Sequence, residues 1–216
     1  MIMKEVSKKL EEKAGVITMT TAKKGKFTFN ISGIGTFSID WGDGSEIETH
    51  TFSDNAGYFG FECRHKYSET VPRTITIISN NTRMLFCNDN ELTSLDLSKC
   101  AKLKELWCSD NQLTSLDVSQ NTQLKTLHCN DNQLTSTSLN FLFETLRIAT
   151  KPNNLIFIGN NPGTDDCNRS IAENKRWWVG EFEGDEEEDD DDEFEIYAQR
   201  DYNNDCEDED EDDIDN

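Results

Sequence analysis

Leu85-Phe86-Cys87-Asn88-Asp89-Asn90-Glu91-Leu92-Thr93-Ser94-Leu95-Asp96-Leu97-Ser98 is followed by Leu106-Trp107-Cys108-Ser109-Asp110-Asn111-Gln112-Leu113-Thr114-Ser115-Leu116-Asp117-Val118-Ser119, then by Leu127-His128-Cys129-Asn130-Asp131-Asn132-Gln133-Leu134-Thr135-Ser136. The lines align column by column at a period of 21 residues, from 108 − 87 and again from 129 − 108. A fixed period of this size marks a stack of repeats. One such unit cannot bury its own apolar face and does so against its neighbours. The third line then departs from the pattern. Residues 137–146 carry Leu139, Leu142, Phe143 and Leu146 at helical spacing after a Ser/Thr start, which predicts an amphipathic helix. Ile156-Phe157-Ile158-Gly159-Asn160-Asn161 resumes the motif with Ile158 in the cysteine slot, at an offset of 156 − 127 = 29. After the Asn161-Pro162-Gly163-Thr164 turn, residues 165–173 read as a second helix and Arg176-Trp177-Trp178-Val179 as a closing strand.

Upstream the pattern changes to short β-segments. Val16-Ile17-Thr18-Met19-Thr20, residues 26–31, residues 36–41, residues 58–63 and residues 73–78 are rich in β-branched and aromatic side chains and separated by turn residues. That series predicts a small antiparallel β-sandwich. Within it lies Asp40-Trp41-Gly42-Asp43-Gly44-Ser45, with His65-Lys66-Tyr67 before the last strand. Gly42 and Gly44 permit positive φ in a tight turn, Asp43 caps backbone N–H groups there, and Trp41 plugs the core.

Charge divides the chain sharply. The formal net charge is −22, and residues 181–216 hold 22 acidic residues against Arg200 alone, a net of −21. Residues 1–180 therefore carry −22 + 21 = −1. Acidic runs such as Asp185-Glu186-Glu187-Glu188 cannot collapse, so residues 181–216 are expected to be a disordered acidic tail. Residues 1–14, with Val6 and Leu10 at helical spacing, are read as an N-terminal helix or arm. The expected organisation is thus an arm (1–14), a β-sandwich (15–79), a solenoid with irregular C-terminal repeats (80–180) and the tail (181–216).

No apolar run reaches membrane-spanning length. The N-terminal residues form no leader pattern, which points to a cytoplasmic chain, or to an exported one if a leader was removed. The seven cysteines include no C-x-x-C pair and do not form a secreted disulfide framework. Basic residues are too few and scattered to bind nucleic acid, and the tail repels phosphate. No catalytic triad context, phosphate loop or H-E-x-x-H motif occurs, so no enzyme and no cofactor are expected.

The repeat columns carry the functional reading. Cys87, Cys108 and Cys129 would stack at ~4.8 Å in a dry interior, where thiols fill a narrow core rather than ligate a metal. Asn90, Asn111, Asn132 and Asn161 would satisfy backbone groups where each unit turns. If Leu106 and Cys108 point inward, alternation points Trp107 outward. Phe86, His128 and Phe157 are its equivalents, giving an aromatic row on the concave sheet flanked by Glu105 and Thr126. Side-by-side exposed aromatics suit a protein-binding surface, and the competing reading is a row that stacks on itself.

Two resemblances follow. The W-G-D-G-S turn with H-x-Y resembles the PKD-like sandwich, although the glycine that usually follows H-x-Y is missing. L-x-C-x-x-N-x-L-T-x-L-D-V-S-x-N-T-x-L resembles the 21-residue, cysteine-bearing repeats of Bacteroidetes-type and internalin-like leucine-rich-repeat proteins, matched by Leu106, Cys108, Asn111, Leu113, Leu116, Val118 and Leu124. The resemblance implies a mainly β chain with some α, a PKD-like β-sandwich followed by a short leucine-rich-repeat solenoid. The aromatic row and the acidic tail make a non-enzymatic protein-binding module the leading expectation, with an inhibitor or immunity-type protein for a basic partner as its sharper form. The resemblance favours the alternative, an exported surface or adhesion protein.

Overall fold

The computed structural model describes residues 15–53, 57–150 and 154–181. The expected N-terminal helix or arm, and all of the expected disordered tail except Glu181, lie outside the described residues. The chain is mainly β, with few helical residues. Among the described residues twelve strands follow in order: β1 Val16–Thr21, β2 Gly25–Gly33, β3 Thr36–Asp40, β4 Glu48–Thr51, β5 Phe61–Tyr67, β6 Arg73–Ser79, β7 Thr82–Phe86, β8 Leu92–Asp96, β9 Glu105–Trp107, β10 Thr126–His128, β11 Asn154–Phe157 and β12 Trp177–Gly180. The helices among the described residues are α1 Ser136–Thr145, between β10 and β11, and the single turn α2 Ser170–Glu173.

The strands form two sheets, one of five in the order β4-β3-β6-β1-β8 and one of seven in the order β12-β11-β10-β9-β7-β2-β5. Alternation sends Ile17 and Met19 from β1, Phe27, Phe29 and Ile31 from β2, Phe37 and Ile39 from β3, and Ile75 and Ile77 from β6 into one buried core. Trp41 sits at its centre, edge-on to Phe27 at 6.3 Å and tilted against Phe29 at 5.8 Å.

The W-G-D-G-S turn is held as its residues require. Asp43 Oδ1 accepts from Ser45 N at 3.0 Å, Tyr67 Oη donates to the Trp41 carbonyl at 2.8 Å, and Trp41 Nε1 donates to Glu48 Oε1 at 2.7 Å. At Gly42, φ is 72° and a Cβ would stand 2.3 Å from the Thr74 carbonyl oxygen, so only glycine fits. His65 lies flat on Trp41 at 4.8 Å with its ring nitrogen 2.7 Å from Asp43 Oδ2. Its role is to pin the turn.

The repeats continue both sheets. β7 pairs antiparallel with β2, and from β7 onward every neighbour is parallel: Leu85 stands opposite Leu106, Leu106 opposite Leu127, Leu127 opposite Ile156, and Ile156 opposite Val179. The 21-residue period and the 29-residue offset thus become one ladder. The β8 stretch turns back to pair antiparallel with β1.

Three local expectations are corrected. The strand placed at 58–63 begins at Phe61 and runs to Tyr67, because Gly57 and Gly60 adopt φ of 70° and 72° and hold the preceding residues in a turn. A short strand, Glu48–Thr51, was not anticipated, and it owes its place to pairing with β3. The helix expected over 165–173 is reduced to Ser170–Glu173, since the Pro162-Gly163 bend leaves residues 163–167 in successive turns.

Candidate protein-binding face

The outer side of the seven-stranded sheet is built by register. Met84, Glu105, Thr126, Leu155 and Trp178 stand in one column, and Phe86, Trp107, His128, Phe157 and Gly180 in another. The second column is a stack of rings. Centroids are 5.5 Å apart from Phe86 to Trp107, 3.8 Å from Trp107 to His128 at 21° between planes, and 4.3 Å from His128 to Phe157 at 16°. Gly180 occupies the last place, and the Trp178 indole lies over it: a Cβ on Gly180 would come within 2.0 Å of that ring. Trp178 meets Phe157 edge-on at 5.5 Å, while Phe59 and Tyr58 meet Phe86 edge-on at 5.3 and 5.9 Å.

All the sequence-designated residues are brought onto this face, but their openness is corrected. Phe86, His128 and Phe157 are only 6%, 7% and 4% exposed, Glu105 and Thr126 are buried, and Trp107 is half-buried. Alternation fixes the direction of a side chain and not its exposure, and each ring of the column stacks on its neighbours. The accessible aromatics are those at the two ends, Trp178 at 52% and Phe59 at 43%. Neither was singled out from the sequence. The signal for Trp178 was its place two residues before a glycine in the row.

Electrostatics on the face are muted by burial. The His128 imidazole, between two aromatic planes, is pushed down by desolvation to about 3 and stays neutral at ordinary pH. Glu105 accepts a hydrogen bond from Tyr58 Oη at 2.7 Å. Along one margin Asp89, Asp110, Asp131 and Asn160 all adopt left-handed φ of 51–55°. Asp and Asn tolerate that conformation best among residues with a side chain. Burial, with Asp131 and Asp89 on either side, raises the Asp110 carboxyl.

Behind the face the columns are consumed by the fold. Cys87, Cys108 and Cys129 are fully buried free thiols, and Cys108 and Cys129 donate to the carbonyls of His128 and Phe157 on the next rung at 3.3 and 3.4 Å. Burial pushes Cys87 and Cys129 up to about 12, which leaves them protonated. Each rung asparagine is saturated. Asn111 Nδ2 donates to the carbonyls of Cys87, Cys108 and Ser109 at 3.1, 3.0 and 2.9 Å, while its Oδ1 accepts from the backbone N–H of Asn90 and Leu92 at 3.1 and 2.9 Å. Among the described residues no group of three or more His, Cys, Asp or Glu is placed to hold a metal ion.

No helix among the described residues is long and apolar enough to cross a membrane. No curated protein is found to match the chain. Residues 83–121, which hold most of β7 and all of β8 and β9, match the family model for leucine-rich repeats (2 copies), so this part of the chain is leucine-rich-repeat sequence of the kind that forms protein-interaction modules.

Proposed function

We propose that the chain is a non-enzymatic protein-binding module that reads its partner along the outer face of the parallel sheet. The observation that carries this is the continuous ring column from Phe86 to Trp178, mounted on leucine-rich repeats and ending in an exposed indole. The acidic excess favours a basic partner, since charge complementarity raises the encounter rate. An inhibitor or immunity-type protein held in the cytoplasm is the form that suits buried free thiols. The hydrogen-bonded W-G-D-G-S turn favours a second reading, a PKD-like sandwich with a Bacteroidetes-type or internalin-like solenoid at the cell surface.

The test is affinity capture followed by measured affinities for three forms: the intact chain, Trp178→Ala, and a chain ending at Glu181. A partner that binds the intact chain, loses at least ~30-fold on Trp178→Ala and loses on-rate at low salt on truncation supports the reading, a hot-spot tryptophan being worth ~2 kcal/mol. A partner that binds all three forms equally overturns it.

A further inference from the structure

The first two rungs are tied together at the two ends of their second halves. Gln112 N donates to the Leu92 carbonyl at 2.8 Å, and Asn121 Nδ2 donates to the carbonyls of Leu97 and Cys100 at 3.0 and 2.9 Å. Among the described residues no backbone hydrogen bond joins residues 93–96 to residues 114–117. The first stretch belongs to β8 and is drawn to β1, while the second is not a strand. Successive residues of a strand turn their N–H and C=O to opposite sides, so alternate peptide groups of β8 face the gap. The gap is a groove of about 240 Å³.

The repeat sets the same side chains on both sides of it. The apolar lining is Leu95 and Leu116, and the polar lining includes the exposed side chains of Ser94, Asp96, Ser115 and Asp117. The two carboxylates are held alike: Asp96 Oδ1 accepts from Ser98 N and Asp117 Oδ1 from Ser119 N, both at 2.8 Å. A carboxylate has about four lone-pair sites, so each keeps acceptor capacity for a ligand. The lining contains no Lys, Arg or aromatic ring. Hydroxyls continue beyond it across the five-stranded sheet: Ser94 stands opposite Thr20, and Thr20 opposite Thr74, with their Oγ1 atoms 3.3 Å apart.

We propose that this groove binds a neutral sugar chain, with one pyranose ring between the two rungs and the next ring on the Thr20–Thr74 row. A small-ligand site combines a concave shape, apolar side chains and a few convergent polar groups. A pyranose matches this lining group by group. Its hydroxyls donate charge-assisted hydrogen bonds to Asp96 and Asp117. The Ser94 and Ser115 hydroxyls and the unpaired peptide groups of β8 both give and accept bonds to the rest. Its C–H face lies on Leu95 and Leu116. An anion is repelled by the two carboxylates. A hard divalent cation takes about six or more oxygen ligands, and among the described residues no three His, Cys, Asp or Glu are placed to hold a metal ion. β8 belongs to the five-stranded sheet and the ring column to the seven-stranded one, so the proposal stands apart from the protein-binding reading.

The probes are glucose, mannose and N-acetylglucosamine, with the linear trisaccharide of each, offered to the full chain in saturation-transfer NMR and calorimetry. At least one trisaccharide is expected to bind, about fivefold more tightly than its monosaccharide, because its second ring gains hydrogen bonds on the Thr20–Thr74 row. Asp117→Asn keeps an acceptor for Ser119 N and removes the charge, while Ser115→Leu fills the groove. Each should weaken that binding roughly tenfold with the melting temperature unchanged. Thr74→Val should erase the advantage of the trisaccharide and leave the monosaccharide affinity as it was. Failure of all six sugars to bind overturns the proposal. So does sugar binding that survives both groove variants, or that EDTA abolishes. Tighter binding of N-acetyl-arginine amide than of any sugar, lost on Asp117→Asn, makes the groove a seat for a basic side chain and overturns it as well.

Discussion

Asn90 Nδ2 donates to the carbonyl of Thr28 at 2.8 Å, and its Oδ1 accepts from the Thr28 N–H at 3.2 Å. Asn90 thereby does for β2 what Asn111 does for the first rung and Asn132 for the second: it ties its own turn to the strand before. The device that holds rung to rung also holds the first rung to the antiparallel half.

That bond leads to the first prediction. Asn111→Ala removes five buried hydrogen bonds and leaves the carbonyls and amides of a dry interior unpaired, so it should cost roughly 3–5 kcal/mol in urea unfolding. Asn90→Ala, which loses the Thr28 pair, should cost a comparable amount. A loss below about 1 kcal/mol at both sites would show that water reaches these turns.

Cys108 offers a test of the interior. Cys108→Ser keeps a donor for the His128 carbonyl but places a more polar hydroxyl in a fully buried slot, and should destabilise by roughly 1–3 kcal/mol. Native-state thiol titration should find Cys87, Cys108 and Cys129 unreactive and the half-exposed Cys167 reacting ahead of them.

His128 sets a pH dependence. Its folded value is about 3 against 6.5 for the free side chain. Between these values the unfolded chain binds more protons, so stability falls as pH drops from 6.5 towards 3 and is intact above 6.5. The difference of 6.5 − 3 = 3.5 sets an upper bound of about 5 kcal/mol, and cation–π attraction of the imidazolium to Trp107 and Phe157 offsets ~1–2 kcal/mol of it. His128→Phe keeps the stack. The variant should lose less stability than the parent over this window, as measured by urea midpoints; parallel curves would refute the assignment.

The two tryptophans of the face should behave differently. Trp107 is held between Phe86 and His128, so Trp107→Ala opens the middle of the stack and should lower stability by about 2–4 kcal/mol. Trp178 is half in water, and Trp178→Ala should cost under about 1.5 kcal/mol. Calorimetric melting temperatures of the two variants will rank them. A reversed order would mean that the indole over Gly180, not the middle of the stack, holds the column.

The period was legible because 21-residue spacing admits one parallel register, and Leu85, Leu106, Leu127 and Ile156 stand in it. Two things were not legible. Leu92-Thr93-Ser94-Leu95-Asp96 and Leu113-Thr114-Ser115-Leu116-Asp117 are the same five residues, yet the first is strand β8 and the second is not a strand. The difference is β1, which pairs with the first copy. Tertiary context decides what the residues leave open. Exposure was hidden as well: the sequence states that Trp107 and His128 share a face, while their stacking at 3.8 Å and the burial of His128 are properties of the fold.

The shared sheets also give folding a direction. β7 and β8 are laid down on β2 and β1, partners separated from them by about fifty residues or more, and every later rung adds to a template already formed. Loop closure is costly for the first rung and slight for each one after. The antiparallel half is then the seed and β12 the growing tip. Amide protons should exchange fastest at Trp177–Gly180 and more slowly rung by rung toward β2.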